Sequence, residues 1–129
     1  MSTWDASQVD LVGLLPRTGR GPKREGIYAL WLLLRVAQDL LLEPPLAERA
    51  VRRRLLSLET RFSSLTVPPP LRRALTAALA QLREGGGRSV PVVLSNLVAP
   101  ARETAGSEAA EAIHRAARSA RQSASNPSR

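Results

Sequence analysis

The run from Ile27 to Leu42, I-Y-A-L-W-L-L-L-R-V-A-Q-D-L-L-L, constrains the fold of this chain more than any other stretch. At about 100° per residue, Ala29, Leu30, Leu33, Leu34, Val36, Ala37, Leu40 and Leu41 cover well over half of a helical cylinder, while Arg35, Gln38 and Asp39 are confined to one stripe. A helix so apolar must be enclosed on several sides. It is too short and too interrupted for a bilayer span, which needs roughly twenty apolar residues, so integral membrane insertion is not expected.

The stops around this run define its partners. The helix starts near Arg24 or Glu25 and ends at Glu43, because Pro44 and Pro45 remove backbone donors and Pro44 disfavours the α conformation before it. Pro45 suits the first turn of a second helix, whose apolar positions Leu46, Ala50, Leu55, Leu58, Phe62 and Leu65 recur at helical spacing. Val67 to Pro70 ends it, and Pro70 can open a third helix with Leu71, Ala74, Leu75, Ala78, Leu79 and Leu82 in an i, i+3, i+4, i+7, i+8, i+11 pattern. Gly85 is expected to supply the left-handed residue that closes this helix. Short connections place successive helices side by side as antiparallel hairpins.

Beyond the glycines, residues 88–99 (R-S-V-P-V-V-L-S-N-L-V-A) are apolar and β-branched enough for a strand. A single strand would have no pairing partner here, and a short helix is the better assignment. Ser107 to Arg121 is helical in pattern, but its apolar face of Ala109, Ala112, Ile113, Ala116, Ala117 and Ala120 is small. Alanine has high helix propensity and buries little area, so this helix is expected to dock weakly or project from the body.

The fold class is therefore all-α: a small helical bundle of three main antiparallel helices plus one or two shorter C-terminal helices. The expected organisation is an N-terminal short helix and basic linker (1–24), a helical core (25–99), an Ala-rich helix (100–122) and a disordered tail (123–129). With 129 residues there is room for one core.

Composition excludes several chemistries. Cysteine is absent, which removes disulfides, thiolate metal sites and thiol nucleophiles. His114 is the single histidine, with Glu111 the nearest carboxylate on its helix and no third ligand at hand, so a surface residue is expected rather than a metal ligand or a triad base. The Gly85-Gly86-Gly87-Arg88 and T-G-R-G-P-K-R stretches lack the lysine-serine/threonine ending of a phosphate loop and are better explained as a helix stop and a linker. No enzymatic activity, no cofactor and no small-molecule substrate are expected.

Two constellations fit binding surfaces. Tyr28, Trp31 and Arg35 fall at i, i+3 and i+7 on the polar stripe of the central helix, and aromatic residues with arginine are what protein interfaces concentrate at hot spots. The bland alternative is an intramolecular contact, with Arg35 over Trp31. Trp4, Leu11, Val12 and Leu15 join this set, on a short apolar segment tethered by a basic linker containing Arg17, Arg20, Lys23 and Arg24. That segment is either a docking peptide or a strut folded back on its own bundle.

The second constellation is Arg49, Arg52, Arg53, Arg54 and Arg61, with Arg72 and Arg73 across the hairpin. Together with a net charge of +8, these could meet phosphates with salt-dependent affinity. No aromatic residue is interleaved among them for base stacking, so a solvated face partly paired with Glu48 and Glu59 is the simpler expectation.

The functional expectation is a non-enzymatic protein-interaction or assembly module, binding a protein partner or itself as a homo-oligomer. The alternative is a nucleic-acid-associated accessory protein using the arginine hairpin. The first residues lack both a charged n-region and an apolar h-region, so no secretory signal is expected and a cytoplasmic location is the default.

Overall fold

The computed structural model describes residues 22–42 and 46–124, and every regular element among them is helical. In chain order these are α1 (Pro22–Leu40), α2 (Glu48–Ser63), α3 (Pro69–Gly85), a 3-10 turn (Gly86–Ser89), α4 (Val90–Ala105) and α5 (Ser107–Ala124). The expected short N-terminal helix, the Pro44-Pro45 corner and residues 125–129 of the expected tail lie outside the described residues, while residues 123 and 124, expected in that tail, are the last of α5.

Helix α1 is enclosed as its sequence demands. Ile27, Ala29, Leu30, Leu33, Leu34 and Ala37 are fully buried, and Leu32 and Leu40 nearly so. The α-helix ends at Leu40, short of Glu43. Leu41 and Leu42 donate to the carbonyls of Gln38 and Asp39 in a tighter last turn. Helix α2 buries Leu55, Leu58 and Phe62 on one face, and α3 buries Leu71, Leu75, Ala78, Leu79 and Leu82 on the stripe its periodicity marks. Proline occupies the first turn of α3, where its missing N–H costs no intrahelical bond.

The glycine run after α3 works differently from a simple left-handed stop. Gly85 is the last residue of the helix, with φ −106°, and the positive φ falls on Gly86 at 58°. The 3-10 turn that follows leads directly into α4, so residues 88–99 enter a helix that continues to Ala105. Ser89 donates its hydroxyl to the Gly86 carbonyl, 2.8 Å away, and makes no side-chain cap to α4. Pro100 lies inside α4, where it has no N–H to donate to the Asn96 carbonyl one turn earlier.

The alanine-faced α5 is neither weakly docked nor projecting. Ala109, Ala110, Ala112, Ile113, Ala116, Ala117 and Ala120 are all buried, and α4 and α5 form the most extensive helix pair in the fold. Side chains that small let two helix axes approach closely, and the area missing from each alanine is recovered over four turns of contact. The single-residue connection Gly106, with φ 99° and ψ 170°, reverses the chain between them in a conformation open to glycine.

α4 contacts α5, α3 and α1, and α3 runs beside α4 more extensively than beside α2. The core thus runs through α1 and α4 together. Ile27, Leu30, Leu33, Leu34, Leu55, Leu71, Leu82, Leu94, Leu97 and Ile113 are its largest fully buried side chains, with Val90. No polar or charged side chain is buried among the described residues.

Candidate functional site

Among the described residues the aromatic stripe lies on a face of α1 that the other helices do not fully bury. Tyr28 and Trp31 are half-buried against the core and Arg35 is exposed. The two rings stack with centroids 6.1 Å apart and planes 16° from parallel. The Arg35 guanidinium carbon lies 5.6 Å from the Trp31 ring centroid, within cation–π range. Tyr28 approaches the indole from the preceding helical turn and Arg35 from the following one.

The neighbouring wall comes from α2. Trp31, Leu32, Arg35 and Val36 of α1 and Arg54, Ser57, Leu58 and Arg61 of α2 line a surface groove of about 290 Å³. Leu32 and Leu58 are buried, so the floor is apolar, and the rim carries the three guanidinium groups. Arg54 donates from Nε to Asp39 Oδ2 at 3.1 Å, an ion pair between α1 and α2 with both side chains about two-fifths exposed. Arg61 and Arg35 pair with no carboxylate among the described residues. At the opposite end of α1, Glu25 accepts from the Thr66 backbone N–H at 2.6 Å.

The seven arginines of the hairpin do not share one face. Arg54 and Arg61 line the groove with α1. Arg52 pairs with Glu48 at 3.0 Å along α2. Arg49 and Arg53 are exposed and project about 80–140° around the helix from Arg54 and Arg61. On α3, Arg72 donates to the Leu65 carbonyl at 2.9 Å and Arg73 is exposed. Arg83, not singled out by its sequence context, pairs with Glu59 at 3.3 Å and ties α3 to α2. Trp4, Leu11, Val12 and Leu15 lie outside the described residues.

Two features of these surfaces were missed in the sequence. Leu56 is 63% exposed on the outer face of α2, between the arginines, where a helical wheel of that segment already places it. The meeting of the aromatic stripe with Arg54 and Arg61 needs the relative register of two helices, for which the Asp39–Arg54 pairing is the only local clue. His114 is exposed on α5, and the described residues include no group of three or more side chains able to hold a metal ion.

No protein-family model, curated protein or solved structure matches this chain. The site must therefore be interpreted from its own chemistry. Among the described residues no helix is long and apolar enough to cross a membrane.

Proposed function

We propose that this protein is a non-enzymatic helical interaction module, an antiparallel bundle that binds a protein partner through the open face of α1 and the adjoining wall of α2. The observation that carries this reading is the groove itself: a half-buried Trp31 at the edge, an apolar floor, and three arginines on its rim. An aromatic anchor with arginine around a partly desolvated pocket is the composition of an interface hot spot.

Self-assembly through the same surface is the less favoured form of this reading. Net charge of +8 repels a second copy, and arginine would face arginine across a two-fold axis.

The test is capture of a partner from the native host with tagged protein, comparing wild type with Arg61→Glu and with Arg73→Glu. Capture lost with the first variant and kept with the second supports the α1/α2 face. Equal capture by all three, or by none, removes it.

The nucleic-acid reading is favoured by a different observation. Arg49, Arg53, Arg61 and Arg73 pair with no carboxylate among the described residues. Electrophoretic shift of random-sequence DNA and RNA over a salt series decides it, since phosphate contacts give an affinity that falls steeply with salt. Absence of any shift at low salt eliminates this reading.

A further inference from the structure

Resting on the interaction reading above, we propose that the α1/α2 groove takes an acidic peptide segment of its partner, with carboxylates meeting Arg35, Arg54 and Arg61 and an apolar side chain seated on Leu32, Val36 and Leu58. Charge complementarity carries the argument. Three arginines and no carboxylate line the groove, and of the three Arg54 pairs with Asp39 beside it. Arg35 is positioned over Trp31 by its cation–π contact, and Arg61 stands exposed on the next helix. Guanidinium forks match carboxylate geometry with two donors at once, so pre-positioned arginines at the edge of an apolar pocket select an acid adjacent to an apolar residue.

Asp39 sharpens this selection. It holds the Arg54 fork in place from the α1 side, and an entering carboxylate approaches an oriented donor instead of a freely rotating one. The apolar floor then adds area burial that a free inorganic anion cannot use.

A nucleic-acid strand fits this groove less well. Tyr28 and Arg35 both contact the indole within α1, which leaves less of Trp31 for a base to stack on. A volume of about 290 Å³ suits a few side chains of one short peptide segment better than a run of nucleotides. The other unpaired cations do not extend the groove into a phosphate track, because Arg49 and Arg53 lie around α2 from it and Arg73 stands on α3.

The experiment uses the full chain with Trp4→Phe, which leaves Trp31 as the only indole. Its emission is followed while adding a peptide of alternating glutamate and leucine, the same peptide with glutamine for glutamate, and oligothymidylate. The glutamate peptide is expected to shift Trp31 emission with an affinity about tenfold weaker in Arg61→Ala, more so in Arg61→Glu, and unchanged in Arg53→Ala; higher salt weakens it. All three arginine variants concern exposed residues, and their helicity is checked by circular dichroism.

Equal response to the glutamate and glutamine peptides, no response to either, or indifference to Arg61→Glu overturns the proposal, as does tighter binding of oligothymidylate at the same salt. Partner capture that depends on Arg61 without any binding of the acidic peptide rejects this ligand class and leaves the interaction module standing.

Discussion

The backbone of Gly87 lies against the carbonyl oxygen of Leu40 so closely that a β-carbon there would overlap it. This contact joins the turn after α3 to the last residue of α1, forty-seven positions earlier in the chain. The obstacle is backbone, so no side-chain rotation can relieve it. Gly87→Ala is therefore expected to destabilise the fold by about 1–3 kcal/mol, the usual range for overpacking, measured by chemical denaturation. A change within experimental error would mean that α1 and the turn do not pack as described.

The apolar core predicts its own sensitivities. Leu33 in α1 and Leu94 in α4 are fully buried, and Leu75 in α3 is 2% exposed. Each change to alanine removes several methyl and methylene groups from contact and is expected to cost about 2–5 kcal/mol in equilibrium unfolding. Leu56→Ala is the control. With Leu56 largely exposed, its loss should stay within about 0.5 kcal/mol.

Close packing of α5 makes the opposite substitution informative. Ala116 is 1% exposed within the stripe that buries against the body. Leucine at this position has no room without separating the helices, and Ala116→Leu should lower stability by about 1–3 kcal/mol even though it adds apolar surface. A neutral or stabilising effect in a thermal melt would return α5 to the status of a loosely attached helix.

Asp39 and Arg54 join α1 to α2 while remaining partly in water. Their side chains are 41% and 39% exposed. A double-mutant cycle with Asp39→Asn and Arg54→Gln is expected to give a coupling of about 0.2–1 kcal/mol, shrinking as salt is added. A larger, salt-insensitive coupling would place this pair in a drier setting than the groove between the helices provides.

Much of the architecture was legible in the chain because helical periodicity is a local signal. The leucine-rich faces of α1 and α3 follow directly from spacing, and proline and glycine mark boundaries to within a few residues. The stretch 88–99 resisted a local decision since a continuous apolar run suits either a buried strand or a buried helix. Its burial between α1, α3 and α5 decides for helix, with Val93, Leu94 and Leu97 facing inward. The alanine face of α5 misled for a related reason. Its value depends on how near another helix can come, and no single-segment argument contains that distance.

The candidate site shows the same division. Tyr28, Trp31 and Arg35 were recognisable as one stripe, since i, i+3 and i+7 residues stay together on any helix. Arg54 and Arg61 looked like members of a broad cationic hairpin, whereas packing turns them toward α1 and leaves Arg49 and Arg53 on another side. The sequence alone determined that α1, α2, α3 and α5 are helical, which of their faces are apolar, and that cysteine chemistry is excluded, because these follow from residue identity and the helical repeat. Only the tertiary structure decided that α4 shares the centre with α1, that α5 packs closely, and that an aromatic stripe and two arginines form one groove, because each depends on the rotation and separation of neighbouring helices.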